Sequence, residues 1–203
     1  MKALIPFILI SLALDSTSQA APATQAAGPA YFIDVHEFGA GKVSAADVAE
    51  AHRKDLAVQD KHGVHFVEYW VDEEHGRVYC LSQAKDAPSI ADTHREAHGL
   101  MPATILPVTG GAAVPPGRGM NLFLDVHEFG AGNVSAQAVA AAHQRDLAMQ
   151  DGFGVRFLNY WVDELNGKVL CLSEAPSAAA VRETHLHAHG LLPSVITQVK
   201  AGK

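Results

Sequence analysis

The chain is poor in cysteine and in charge, and each shortage excludes something. Only 2 of its 203 residues are Cys, too few for a disulfide framework. Charged residues make up 18% against 48% hydrophobic, which supplies a core and rules out a disordered tail protein. Basic residues are outnumbered, 15 Lys and Arg against 22 Asp and Glu, for a formal net charge of −7. A nucleic-acid partner is therefore not expected, because phosphate binding needs a basic surface. Past residue 30 no apolar run reaches membrane length, so no membrane partner is expected for the body of the chain. What is abundant is histidine, 12 residues. Imidazole is the commonest metal ligand and titrates near neutral pH, so its placement directs the reading.

The N-terminal segment reads as an export signal. Met1 and Lys2 open it, residues 3–14 are apolar, and Ser18 and Ala20, on either side of Gln19, supply the small residues that a signal peptidase reads. Cleavage after Ala20 is expected, which assigns residues 1–20 to a signal peptide and residues 21–30 to a flexible leader, and places the mature chain in the periplasm or outside the cell.

The remainder is one unit written twice. The string FIDVHEFG at 32–39 returns as FLDVHEFG at 123–130, and the same offset holds without a gap to Val108 and Val199. Roughly 45 of 77 aligned positions are identical, the mark of a duplication whose unit has the length of a small domain. Residues 31–108 form unit 1 and residues 122–199 unit 2. Residues 109–121, rich in Gly and Pro, form the linker. In each unit a strand (31–38) precedes a helix (45–59) capped by Ser44. A hairpin of two strands (64–71 and 77–82), a second helix (88–98) stopped by Gly99 and a short last strand (103–108) follow. The order βαββαβ is the ferredoxin-like unit. Its helices cover one sheet face only, so the fold class is α+β, with the two units packed sheet to sheet as an intramolecular dimeric α+β barrel in one monomeric chain.

The duplication also sorts the histidines. Four pairs occur in both copies: His36/His127, His52/His143, His94/His185 and His98/His189, whereas His62, His65, His75 and His187 have no partner. His94 and His98, four apart on a helix, share a face and can grip one ion, as can His185 and His189. HREAH is not the zinc-protease signature, which needs Glu directly after the first His, and the second copy, HLHAH, has no Glu. Asp34 and His36 share a strand face, expected to be the barrel interior with Ile33 and Val35 under the helices. His52 and Asp55 lie one turn apart on the first helix beside an apolar face of Val48 and Leu56. The eight paired histidines are the candidate metal ligands, and a binding site built from them weakens as pH falls through about 6. Imidazole, carboxylate and water suit Ni2+, Zn2+ or Cu2+, and affinity order alone favours copper. Cys80 and Cys171 read as buried small hydrophobes, and Trp70, Trp161, Tyr69 and Tyr160 as core. No nucleophile–base pair and no cofactor motif stands out. Two function classes remain: a metal-sequestering or metal-buffering protein, or an α+β-barrel enzyme or small-molecule binder with an internal cavity.

The strings DVHEFG, AHRKDLAVQD, GVHFVEYWVDE, VYCLSQA and THREAHGLMP, with GVRFLNYWVDE and KVLCLSEAPSAAAV in the second copy, resemble a family of small bacterial domains. One member is a nickel-binding protein with a ferredoxin-like fold that dimerises into an α+β barrel. The resemblance covers both repeats and implies that barrel fold, with Ni2+ as the favoured metal. The chain differs from simpler members in its tandem fusion and its N-terminal signal.

Overall fold

The computed structural model describes residues 29–111, 113–117 and 119–203; the expected signal peptide (1–20) and most of the expected leader (21–30) lie outside the described residues. The first half runs β1 (Ala30–Glu37), α1 (Ala45–His62), β2 (His65–Asp72), β3 (Arg77–Ala84), α2 (Ala87–Ala97) and β4 (Thr104–Gly110). The second runs β5 (Asn121–Glu128), α3 (Ala136–Met149), a 3-10 turn (Gln150–Phe153), β6 (Arg156–Asp163), β7 (Lys168–Ala175), α4 (Ala178–Ala188) and β8 (Val195–Gly202). The βαββαβ order is present twice, as the pattern predicts.

Local chemistry sets the element ends. The Ser44 hydroxyl accepts the Asp47 amide while Asp47 reaches back to the Ser44 backbone, a capping box at the start of α1. Gly99, at φ +76°, ends the turn after α2 and leaves His98 as the helix cap. Gly76 in the β2–β3 hairpin also has positive φ, and a Cβ there would collide with the backbone of Gly39. That close approach lets the Phe38 amide donate to the Gly76 carbonyl at 2.8 Å and pins the end of β1.

The eight strands close into one barrel in the order β1-β3-β2-β8-β5-β7-β6-β4. Closure uses the edges that each half leaves open. β2 pairs with β8 (Trp70 opposite Ala201), and β4 pairs with β6 through Thr109 and Gly110. β4 therefore runs two residues past the expected end, and the linker continues along β6, with the Val114 amide donating to the Leu158 carbonyl at 2.7 Å. Pro107 lies in the stretch of β4 that pairs with β1 alone, where a missing amide costs least. A half-turn about the barrel axis carries β1 to β5 and β2 to β6, so a pseudo-two-fold coincides with that axis. Closure removes every free edge from the barrel.

Alternation along the strands separates two kinds of core. Ile33, Trp70, Leu81, Leu106, Leu124, Trp161 and Leu172 fill the barrel interior, where the Trp70 and Trp161 rings from opposite halves meet at 4.9 Å. At one mouth a cavity of about 480 Å³ remains between Trp161, Leu172, Glu68 and the linker residues Pro115 and Pro116. The other face of each half-barrel lies under its helices, with Phe32, Phe66, Tyr69 and Cys80 packed against Val48 and Ile90 in the first half. This reverses the expected orientation of β1: Ile33 and Val35 point into the barrel, and Asp34 and His36 point outward beneath the helices. The apolar pair takes the shared interior because two sheets must be dried there, whereas the helix face can supply polar partners. Leu56, expected on the apolar face of α1, is 39% exposed. Cys80 and Cys171 are buried and free.

Candidate metal centre

Beneath the helices of the first half, three elements bring acids and imidazoles together. β1 carries Asp34 and His36, α1 carries Asp55, and the end of α2 carries His94 and His98. Asp34, His36, Asp55 and His94 are all at most 5% exposed. His94 sits at the middle, its Nε2 3.1 Å from Asp34 Oδ2 and its Nδ1 3.0 Å from Asp55 Oδ1. His36 Nε2 is 3.0 Å from the same Asp34 oxygen, and His98 Nε2 is 3.2 Å from Asp55 Oδ2 and 3.3 Å from His94 Nδ1.

The second half repeats the arrangement. His185 Nδ1 lies 3.0 Å from Asp146 Oδ1 and its Nε2 3.5 Å from Asp125 Oδ2. His189 Nε2 lies 3.1 Å from Asp146, and His127 Nε2 3.1 Å from Asp125. Cys171, paired opposite Asp125 in the sheet, has its Sγ within 4.8 Å of a donor atom of Asp125 and of His127.

The network holds a charge. Burial opposes an imidazolium at His94, but hydrogen bonds to Asp34 and Asp55, with their negative charge, outweigh it and lift its pKa to about 9. His185, between Asp125 and Asp146, rises to about 10 for the same reason. Burial also opposes ionisation of Asp34 and Asp55, yet hydrogen bonds from the imidazoles hold both below the usual carboxylate value. The Leu100 amide donates to His98 Nδ1 at 3.0 Å, so the neutral ring carries its proton on Nε2 and donates it to Asp55. His36 Nδ1 is buried with no partner among the described residues.

His94 with His98, and His185 with His189, meet as helix spacing predicts, and His36 and His127 join them from the strands. His52 and His143 do not enter the clusters. The His52 ring packs 4.8 Å from Tyr69 and the His143 ring 4.7 Å from Tyr160, and both line cavities. Burial lowers the pKa of each, so both rings are neutral. The acids, placed beside His36 and His52 by the sequence but not assigned as ligands there, complete the clusters. Asp34, Asp55, Asp125 and Asp146 occupy equivalent positions in the two copies, which is the signal that finds them.

Donor chemistry and spacing both fit a transition metal. Bonds of about 2.1 Å place neighbouring ligand atoms about 3.0 Å apart in an octahedron and about 3.4 Å in a tetrahedron. Within Asp55, His94 and His98 the N···O and N···N separations are 3.0, 3.2 and 3.3 Å. In two groups per copy one donor atom from each residue lies within 4.8 Å of the others: Asp34, His36 and His94, and Asp55, His94 and His98 in the first. In the second they are Asp125, His127 and Cys171, and Asp146, His185 and His189.

Among solved structures, the chain is similar to SCO4226 from Streptomyces coelicolor A3(2). Identity is 33% over 43% of this chain and 99% of that one, with a TM-score of 0.36. The similarity to an anthrone oxidase-like protein is 9% identity over 87% of this chain and 93% of that one, at a TM-score of 0.46. A heme-binding protein from Thermus thermophilus matches at 8% identity over 86% of this chain and 89% of that one, at a TM-score of 0.38. Comparison with curated proteins finds no match. The family model described as nickel responsive protein SCO4226-like matches residues 32–108 and again residues 123–199. With both repeats matched, more than half of its length, the chain belongs to the SCO4226-like family of nickel responsive proteins.

Proposed function

We propose that this chain is an exported metal-binding protein that sequesters or buffers nickel, or a similar divalent transition metal, at one centre in each repeat. The observation that carries the reading is the His–Asp cluster built twice from equivalent residues. Membership of a nickel-responsive family supports nickel over zinc or copper, which the same donors also suit. Export rests on the N-terminal signal read in the sequence. Asp55, His94 and His98 would hold the ion, with Asp34 and His36 as the adjoining donors, and Asp146, His185, His189, Asp125 and His127 do the same in the second repeat. An ion supplies the positive charge that a proton on His94 now supplies, so uptake is a competition with protons.

Calorimetric titration of the full chain with nickel tests this. About two ions per chain are expected. Ala at His94 and His98 together lowers that to about one, Ala at His185 and His189 does the same, and all four changes abolish tight binding, because each site loses most of its shell. Unchanged stoichiometry in these variants would overturn the assignment.

A further inference from the structure

Each cluster lies at the floor of a cavity whose walls do not suit a bare ion. In the second half the cavity measures about 260 Å³ and is walled by Phe129, Val134, Val139, Ala142 and Leu191. In the first it measures about 190 Å³, with Phe38, Val43, Val48, Ala51 and Leu100 at the equivalent positions. A water molecule occupies about 30 Å³ in the liquid, so each space holds several waters, and valine and phenylalanine give them no hydrogen bonds. The duplication could have filled these spaces with larger side chains, yet Ala51 and Ala142 keep both copies open. His52 lines the first cavity, is 5% exposed and makes no hydrogen bond among the described residues. It is a polar side chain placed beside the clustered donors and left without a partner. His143 lines the second cavity in the equivalent position.

We infer that each cavity binds a small organic carboxylate with an apolar body. The body lies against the Val and Ala face of α1 or α3, and the carboxylate meets the metal and the free imidazole of His52 or His143. This rests on the metal reading. Asp34 and Asp55, or Asp125 and Asp146, make the floor anionic and repel a carboxylate until a divalent ion neutralises them. The site is thus a ternary one, protein with metal and organic acid.

Benzoate and acetate are the probes, since they share a carboxylate and differ in the apolar body. Nickel-loaded full chain, titrated calorimetrically, is expected to bind about two benzoates per chain at least about tenfold more tightly than acetate. Metal-free chain is expected to bind benzoate at least about tenfold more weakly than loaded chain. Ala51→Phe with Ala142→Phe fills both cavities away from the donors and is expected to erase the preference for benzoate while leaving two nickel ions per chain. Should that variant not fold, zinc-loaded wild-type chain provides the test, with nuclear Overhauser contacts expected from benzoate ring protons to the methyls of Val48 and Val139. Equal affinity for benzoate and acetate, or contacts missing at those methyls, would overturn the organic ligand while normal nickel binding leaves the metal reading standing. Failure of the wild-type chain to bind nickel at all would overturn both.

Discussion

The two repeats carry the same cluster behind different rims. Lys42 and Asp47 border the cavity of the first, where Asn133 and Ala138 border that of the second. The floor keeps the same residue types, Asp34, His36, Cys80 and His94 in the first repeat and Asp125, His127, Cys171 and His185 in the second. Around the clusters the first repeat carries a charged surface set, with His62 and Lys61 on Glu96, where the second stacks Phe153 on His187. Divergence has thus reached rim and surface and stopped at the acids and imidazoles of the floor. Substitutions at exposed positions change stability little, whereas a buried charge that loses its partner is costly, and this gradient explains the pattern.

Several expectations turn on that comparison. The largest concerns the halves themselves. A half expressed alone loses the β2–β8 and β4–β6 seams and exposes the Trp70 or Trp161 side of its sheet. Either half should dimerise in sedimentation, and a stable monomeric half would defeat the interdependence of the two barrel halves.

Next in size is the loss of the central imidazole. His94→Ala leaves Asp34 and Asp55 buried without their shared cation and should cost roughly 3–5 kcal/mol in metal-free unfolding. His185→Ala should cost about the same, and a difference of more than about 2 kcal/mol between them would show that the clusters are not equivalent. The pH dependence follows from the same groups. A folded pKa of about 9 against an unfolded 6.5 means that the stabilisation by His94 is complete below about pH 6.5 and is lost as pH rises through 9. For His185 the loss extends to about pH 10. The amount is roughly 3 kcal/mol for His94 and roughly 5 kcal/mol for His185. Metal-free chain should therefore lose thermal stability between pH 7 and 10, and each alanine variant should keep only the part of that loss that the other repeat contributes. The carboxylates act in the other direction: the contribution of Asp34 and Asp55 vanishes as pH falls below about 3.8 through their lowered values. Proton competition for metal also reaches above the window near pH 6 expected from free imidazole, so nickel affinity should keep rising towards pH 9.

Smaller effects test the rim and the surface. Lys42→Asn makes the first rim resemble the second, and an exposed, screened charge should change nickel affinity by less than about threefold. Smallest of all, Ala at His62, His65 and His75 together should leave the nickel stoichiometry unchanged. Loss of an ion in that variant would move the site to the unpaired histidines.

Much of this molecule could be read along the chain. The constant offset between Phe32 and Phe123 exposes the duplication, Ser44 and Gly99 mark helix ends, alternation marks β1, and β-branched and aromatic runs about a turn mark β2 and β3. The helical pairs His94–His98 and His185–His189 follow from a four-residue spacing, because contacts within one turn are local. The orientation of β1 did not follow. An alternating strand states that Asp34 and His36 share a face, but which face is buried against what depends on partners far away in sequence. The same limit hid the pairing of Asp55 with His94, 39 residues away, and the apolar cavities, whose walls come from separate elements.

Sequence alone determined the repeat, the order of elements within it and the residue types available for chemistry, since each depends on neighbours within a few positions. Tertiary structure decided the closure of eight strands into one barrel, the turning of the acids and histidines outward under the helices, and the empty volume above them. These depend on how distant apolar surfaces are dried against one another. Hydrophobic burial is non-directional, so only the packed arrangement chooses which surfaces meet.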